Sequence, residues 1–360
     1  MFFIRASLVL AMLTMARFVL ADSVKTTERK ITRLAEGVYE IRHKDAPDGA
    51  PQGNTTVIIG EREVLVVDSC GLPSSAREDI TQIRQWTGKP VRYLLNTHWH
   101  YDHVMGNQAY ADAFPSLIII AQINTQKQLE GYLPWYAEAY RHDVAAAKHM
   151  LEAGKDDTGT PLTESARKQL QEGLSGVESV SAEFTTPMSR LPDLTFEREL
   201  DVNLGNRDVQ MKYLGRGNTT GDAIVYLPKE NILVAGDLLD CPVPYFFGGY
   251  PAEQIVALEK MAKLDATTIV PGHGDVLHDK VYLNQVIALL KTVVSQTQQA
   301  DYRTAGLISA RPEDVQDAVM KAIDLPALRK QFAGDDPDND AFFASSMAEI
   351  VKIAYWQRDY

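Results

Sequence analysis

Cysteine is nearly missing from this chain, with two, Cys70 and Cys241, in 360 residues. Two are too few for a disulfide scaffold, and without a C-x-x-C pair they make no thiolate metal site. Whether they pair in an oxidising compartment stays open, because sequence separation says nothing about distance in space. Positive charge is in deficit as well. The formal net charge is −12, and the basic residues form no clustered stripe, which argues against nucleic acid as a partner. No apolar run is long enough for a permanent membrane anchor, and neither a solenoid-length repeat nor a low-complexity segment is present. Histidine is also rare, with eight in all. Three of the eight lie together in "HWHYDH", residues 98–103.

The rest of the composition is that of a globular chain, 45% apolar, long enough for one large domain or two smaller ones. Residues 1–21, "MFFIRASLVLAMLTMARFVLA", follow a secretory signal pattern. Arg5 precedes an apolar run over 6–16, and small residues suit cleavage after Ala21. Arg17 interrupts the pattern, and the alternative is an unprocessed N-terminal helix. No cysteine stands at the cleavage point, so no lipid anchor is expected there. The expectation is a periplasmic or secreted protein.

Beyond the leader, "GVYEIRH", "NTTVIIG" and "EVLVVDSC" read as strands. "SSAREDITQIRQWTG" has helical spacing and leads into the strand "PVRYLLNTH". Strand, strand, helix, strand opens an α/β layered domain. The histidine cluster falls just past that last strand's C-terminal end, where ligands bind in α/β sheets. A helical insertion is expected over about 122–185, its second helix capped by Thr160 with Pro161 at the first helical position. "DVQMKYLGRG", "AIVYLP" and "NILVAGDLL" are strand-like, "QIVALEKMAKL" is helical, and "TTIVPGHGD" is a strand ending in a loop with a histidine. The chain beyond about 281 reads as helical. The expected domains are the leader, a main domain over 22–290 and a helical extension over 291–360.

Neutral imidazole and carboxylate are zinc donors, and a catalytic zinc keeps one position for water. His98 and His100 are two apart, so on an extended segment they point the same way. Asp102 and His103 follow after the chain turns. Such an array can serve two adjacent metals. A lone histidine is usually a satisfied core or surface residue, but four donors in H-x-H-x-D-H order are poorly explained that way.

"HWHYDH" resembles the signature of the metallo-β-lactamase superfamily, which also holds glyoxalase II, lactonases, arylsulfatase-like enzymes and nucleases. The resemblance extends over roughly residues 35–280. "VVDSCG" resembles the family's strand ending in a buried aspartate, here Asp68, which is expected to hold loop amides beneath the site. "GRGNTTGD" stands where the family has a Gly-rich loop with its third histidine, "VAGDLL" supplies the often bridging Asp237, and "PGHG" supplies His273. The resemblance implies a four-layer αβ/βα sandwich of two mixed sheets flanked by helices. It also implies one or two Zn2+ per chain.

One departure matters. Asn218 stands in place of the third histidine, and its carbonyl is a weaker zinc donor than imidazole. By the resemblance, His98, His100 and Asp237, with Asn218 as a weak fourth, would hold a first metal. Asp102, His103, Asp237 and His273 would hold a second. Three protein ligands and water still suffice for a catalytic zinc. The substitution is expected to weaken the first metal, and a one-zinc enzyme built on the second site is the alternative.

The chemistry implied is attack by metal-held hydroxide, oriented by Asp102, on a small ester, lactone, thioester or amide, a β-lactam among the candidates. No serine or cysteine nucleophile is needed, and Cys241 is expected to be a small buried hydrophobe. The competing expectation is a metal-binding or partner-binding member that has lost hydrolysis through Asn218. A redox member using iron is disfavoured, since the flavodiiron relatives carry a carboxylate where this chain has His100. Tyr245, Phe246, Phe247 and Tyr250 either line an apolar wall over the metals or pack the sheet. Trp135, Tyr136 and Tyr140 either form a lid or belong to a helical core. His142 and His149 share a helix face and read as solvated. Oligomeric state is not legible.

Overall fold

β3 (Thr55–Ile59), β4 (Val64–Val67), β10 (Ala223–Leu227) and β11 (Ile232–Gly236) are apolar and buried almost throughout. Side chains alternate between the faces of a strand, so a run buried at every position needs cover on both sides. The computed structural model, which describes residues 26–184, 189–246, 248–304 and 312–357, supplies that cover. Ile58, Leu65, Val67 and Leu95 meet Val225, Leu227, Ile232 and Val234 in a core between two sheets. Their neighbours Val57, Val64, Val66 and Leu94 turn outward onto Ala76, Ile80 and Ile83 of α1 (Pro73–Trp86). On the far side Ile224, Tyr226, Leu233 and Ala235 meet Ala257, Leu258 and Met261 of α6 (Pro251–Ala262). The layers are helix, sheet, sheet, helix, as expected. The expected signal segment, residues 1–21, and Phe247 lie outside the described residues.

The first sheet has the order β1 (Lys30–Ala35), β2 (Val38–Arg42), β3, β4, β5 (Val91–Asn96), β6 (Ile118–Gln122), β7 (Leu194–Phe196). Pairing is antiparallel from β1 to β4 and parallel from β4 to β7. The second sheet runs β12 (Thr268–Pro271), β11, β10, β9 (Asp208–Tyr213), β8 (Glu199–Asn203), with β11 and β12 parallel. The two sheets are tied where β5 ends, because Ala223 N–H donates to Thr97 O at 2.8 Å. Beside it Gly236, at φ 53°, leaves no room for a Cβ against Thr97. The carboxyl ends of β4, β5, β11 and β12 therefore open onto one edge, the usual place for a ligand in α/β sheets.

Short α2 (Tyr101–Val104) and α3 (Asn107–Ala113) follow β5, and the insertion holds α4 (Ile123–Ala153) and α5 (Glu164–Glu183). The expected cap of α5 is corrected. Thr163 caps it, accepting from Ala166 N–H, because the Asp156 carboxylate ties down the N–H groups of Thr158 and Thr160 in a turn. Leu129, Leu133 and Ala137 of α4 and Val180 of α5 pack on Val104 and Met105, just past the histidine motif. After α6 come α7 (Val281–Thr304), α8 (Pro312–Ala322), α9 (Leu325–Phe332) and α10 (Pro337–Trp356). Leu283, Val286, Val319, Met347 and Ile350 share the core under α6. No described helix is long and apolar enough to cross a membrane, and both cysteines are free thiols.

Candidate metal centre

β5 stops at Asn96, and the chain runs extended to His100, the N-cap of α2 at φ −62° and ψ 144°. One helical turn then carries Asp102 and His103 inward. After β4, Asp68 adopts the left-handed region at φ 60°, a conformation that costs a non-glycine residue about 1 kcal/mol or more. Its carboxylate accepts from Thr97 N–H and Thr97 Oγ1–H, both at 2.7 Å, and lies 2.9 Å from His103 Nδ1. A carboxylate on Nδ1 holds the proton there and leaves Nε2 as a free donor. Asp237 follows β11 and His273 follows β12, pressed together because Gly272 has no side chain to collide with Asp237 Oδ1.

All seven donors named from the sequence meet here. His98 Nε2 and His100 Nδ1 lie 3.2 and 3.8 Å from Asp237 Oδ2. His103 Nε2 lies 3.0 Å from Asp237 Oδ1 and 3.3 Å from His273 Nε2, which is itself 2.9 Å from Asp102 Oδ2. Asn218 Nδ2 is 3.4 Å from both His100 Nδ1 and Asp237 Oδ2. Its loop is closed by Asp222, which accepts from Thr219 N–H at 2.9 Å and Thr219 Oγ1–H at 2.7 Å. Two groups with donor atoms within 4.8 Å result, His98–His103–Asp237 and Asp102–His103–His273. His98 Nε2 and Asp237 Oδ1 are buried without a hydrogen bond. Orphaned buried polar atoms cost on the order of 1–3 kcal/mol each, and a cation between them removes that cost, so the donor set suits a metal ion. His100, Asp102 and His273, with side chains 17, 11 and 22% exposed, form the open side.

Charge in the cluster is strongly opposed. Burial works against ionised Asp237, yet His103, His98 and His273 hold its carboxyl well below the usual range. Asp102 is lowered too, by His103 and His273 against burial. Burial pulls His103 down, but Asp237, Asp102 and Asp68 hold it well above an ordinary histidine. The same balance raises His273 to about 9. His100 is lowered by burial and by His98. Asp240, three positions after Asp237, is driven well above the carboxylate range by burial and by Asp237.

Sequence reasoning missed the tetrapeptide "PQGN". Gly53 N–H donates to Asp102 O at 3.1 Å, and a Cβ there would collide with the His103 ring. Asn54 N–H donates to Gly272 O at 2.8 Å. Below it, His43 Nδ1 lies 2.9 Å from Gly53 O and Nε2 lies 2.8 Å from Asp79, which also pairs with Arg29 at 2.7 Å. Asp79, His43 and Cys70 form another buried group of possible donors. Arg29 already neutralises Asp79, and burial with Asp79 pushes the Cys70 thiol well up. This group props the loop.

Aromatic side chains crowd the open side. Trp99 stacks on Tyr132 at 4.1 Å, and Tyr101 meets Tyr136 at 5.1 Å. Trp135 sits edge-on to both Tyr132 and Tyr136. α4 thus comes down onto the metal loop. Tyr140 packs on Phe184 and donates to Asp48 at 3.1 Å, beneath that layer. Tyr245 stacks on Phe342 at 5.6 Å, and burial, then Asp102 and Asp237, raise its phenol well above the usual range. Phe246 is not a wall residue. At 4% exposure it belongs to the outer-layer core. Tyr250 lies under the Arg216 guanidinium at 4.1 Å. His142 and His149 are exposed on α4. Cys241 is no nucleophile, since burial and the nearby Asp275 and Asp240 push its thiol up to about 12.

The chain matches the family model of the metallo-beta-lactamase superfamily over residues 48–273, more than half its length, and it belongs to that superfamily. It is similar to a linear primary-alkylsulfatase of a Pseudomonas species, 19% identical over 250 residues that cover 64% of this chain and 43% of that protein. It is also similar to a metallo-beta-lactamase type 2 of Bacteroides fragilis, 33% identical over 129 residues, 31% of this chain and 52% of that protein. The matched stretch thus spans about half the length of these relatives. A solved metallo-beta-lactamase from Pontibacter korlensis aligns with TM-score 0.51 and 17% identity, covering 73% of this chain and 99% of that one. That likeness shows the fold.

Proposed function

We propose that this member of a hydrolase superfamily is an exported zinc-dependent hydrolase. Its substrate is a small, partly apolar molecule with an ester, lactone, thioester or β-lactam bond. The observation that carries the reading is the convergence of His98, His100, Asp102, His103, Asp237 and His273, with His98 Nε2 and Asp237 Oδ1 buried and making no hydrogen bond. Bound zinc supplies a Lewis acid and brings the pKa of its water near 7. His98, His100 and Asp237 would hold one ion, and Asn218, whose Nδ2 faces His100 and Asp237, would offer its carbonyl as a weak fourth donor only after its amide rotates. Asp102, His103, His273 and Asp237 would hold the other. Asp102, on the open side, would orient the attacking water. Trp99, Tyr132 and Tyr136 offer an apolar face beside the reacting bond. The signal pattern of residues 1–21 supports export.

The alkylsulfatase likeness covers 64% of this chain, against 31% for the Bacteroides fragilis β-lactamase, and it favours one second reading, an alkyl sulfate ester as substrate. Both readings are tested on the mature protein, purified without chelator and supplied with zinc. Metal per chain is measured, followed by a screen of lactones, thioesters, a chromogenic β-lactam and alkyl sulfates. The expected result is one or two zincs, with turnover of one class lost to chelator and restored by zinc. Absence of metal overturns the reading. Bound metal without turnover in any class supports a binding protein impaired by Asn218.

A further inference from the structure

We propose that Asp240 is an additional metal ligand that completes a carboxylate-rich position with Asp102, His103, Asp237 and His273. The inference rests on the metal-centre reading and adds a residue to it. Asp240 is 5% exposed, and neither of its carboxylate oxygens has a hydrogen-bond partner. A donor oxygen lies within 4.8 Å of those of both Asp237 and His273. A buried carboxylate without a partner costs several kcal/mol, and native proteins supply such groups with a donor or a cation.

Among the described residues no donor hydrogen-bonds either oxygen. The neighbouring imidazole of His273 is turned to Asp102 at 2.9 Å, and His103 Nε2 faces Asp237 at 3.0 Å. The backbone around Asp240 is held on three sides. Its carbonyl accepts from Tyr282 Oη–H at 2.7 Å, Cys241 N–H donates to His273 O at 3.1 Å, and Gly272 N–H donates to Leu239 O at 3.0 Å. The side chain is therefore presented to the cluster by a pinned turn. By this assignment Asp240 joins the donor atoms of Asp237 and His273, and Asp102 and His103, which share His273 in the adjoining group, would complete the position, while the other ion would have His98, His100, a shared Asp237 and the weak Asn218. This asymmetry makes the Asp240 position the tighter one and the first to fill.

The test uses the full chain, with Zn2+ as the probe and a chelator as competitor, in wild type, Asp240→Asn and Asp240→Ala. Both variants are expected to lose about tenfold or more in affinity at the tighter site, the scale seen when a metal site loses a supporting group. They should also lose part of the zinc-induced rise in Tm. Equal affinities in all three proteins overturn the role of Asp240 and leave the metal centre standing. A wild type that binds no zinc overturns both. Should the variants fail to fold, X-ray absorption on wild type with one zinc equivalent decides. Two imidazoles among five nitrogen or oxygen donors are expected, and four donors or three imidazoles overturn the proposal.

Discussion

Asn54 clamps the loop of His273, its amide donating to Pro271 O at 3.1 Å and to Gly274 O at 2.9 Å. Its backbone N–H reaches Gly272 O at 2.8 Å, so His273 is bracketed by three hydrogen bonds from one residue. Asn54→Ala leaves two carbonyls without their donor, and buried hydrogen bonds are worth about 1 kcal/mol each, more when a partner is stranded. The expected outcome is a loss of about 2 kcal/mol in urea unfolding together with weaker zinc binding. Lower stability with unchanged zinc affinity would show that the clamp does not position His273.

The Asp68–His103 pair makes a second prediction. Asp68 holds the proton on Nδ1 and so presents Nε2 as donor. Asp68→Ala should weaken zinc binding about 10–100-fold, read by chelator competition. Asp68→Asn keeps a residue that tolerates φ 60° but not the carboxylate, so it should lose affinity as well. An asparagine variant with wild-type affinity would refute the tautomer role.

Glu40 predicts a pH dependence away from the centre. It is 1% exposed on β2, opposite Thr32 of β1, and burial raises its carboxyl from 4.5 to about 7. Between these values the folded chain keeps a proton that the unfolded chain has released, so stability falls as pH rises from 4.5 to 7. The loss is about 3 kcal/mol in all, complete above pH 7. Glu40→Gln cannot ionise. It should be more stable than wild type at pH 8 and no more stable at pH 4.5, as urea midpoints at the two pH values will show.

The aromatic layer predicts a split in kinetics. Tyr132→Ala removes the ring stacked on Trp99 at 4.1 Å without touching a metal donor. Stacked pairs are worth about 0.5–1.5 kcal/mol, so KM for substrates with an apolar group should rise by up to about tenfold, with kcat and zinc content little changed. A fall in kcat with constant KM would place Tyr132 outside the substrate pocket.

The sequence by itself determined the layered fold and the candidate donor set, and the reason is local. Strands covered on both faces must be apolar throughout, as "VLVV" and "ILVAG" are, and donors on one metal must be histidine or carboxylate at close spacing, as in "HWHYDH". What depends on distant contacts was hidden. Asn54 acts on carbonyls more than two hundred positions away, and His43, Asp79 and Arg29 meet only once β2, α1 and the N-terminal segment have packed. Tyr245 and Phe246 are alike in type, and their packing alone sends one toward the cluster and the other into the core. The start of α5 at Thr163 rather than Thr160 was decided by the turn that Asp156 closes on Thr158 and Thr160 and by Leu162 N–H, which a Thr160 cap would need, donating to Gly154 O at 2.9 Å instead. Asp240 reads as an ordinary loop acid, and only the folded turn buries it beside Asp237 and His273 with nothing to accept from. Residue type and spacing specify what chemistry is available, whereas partnership and burial are properties of groups brought together by the whole chain.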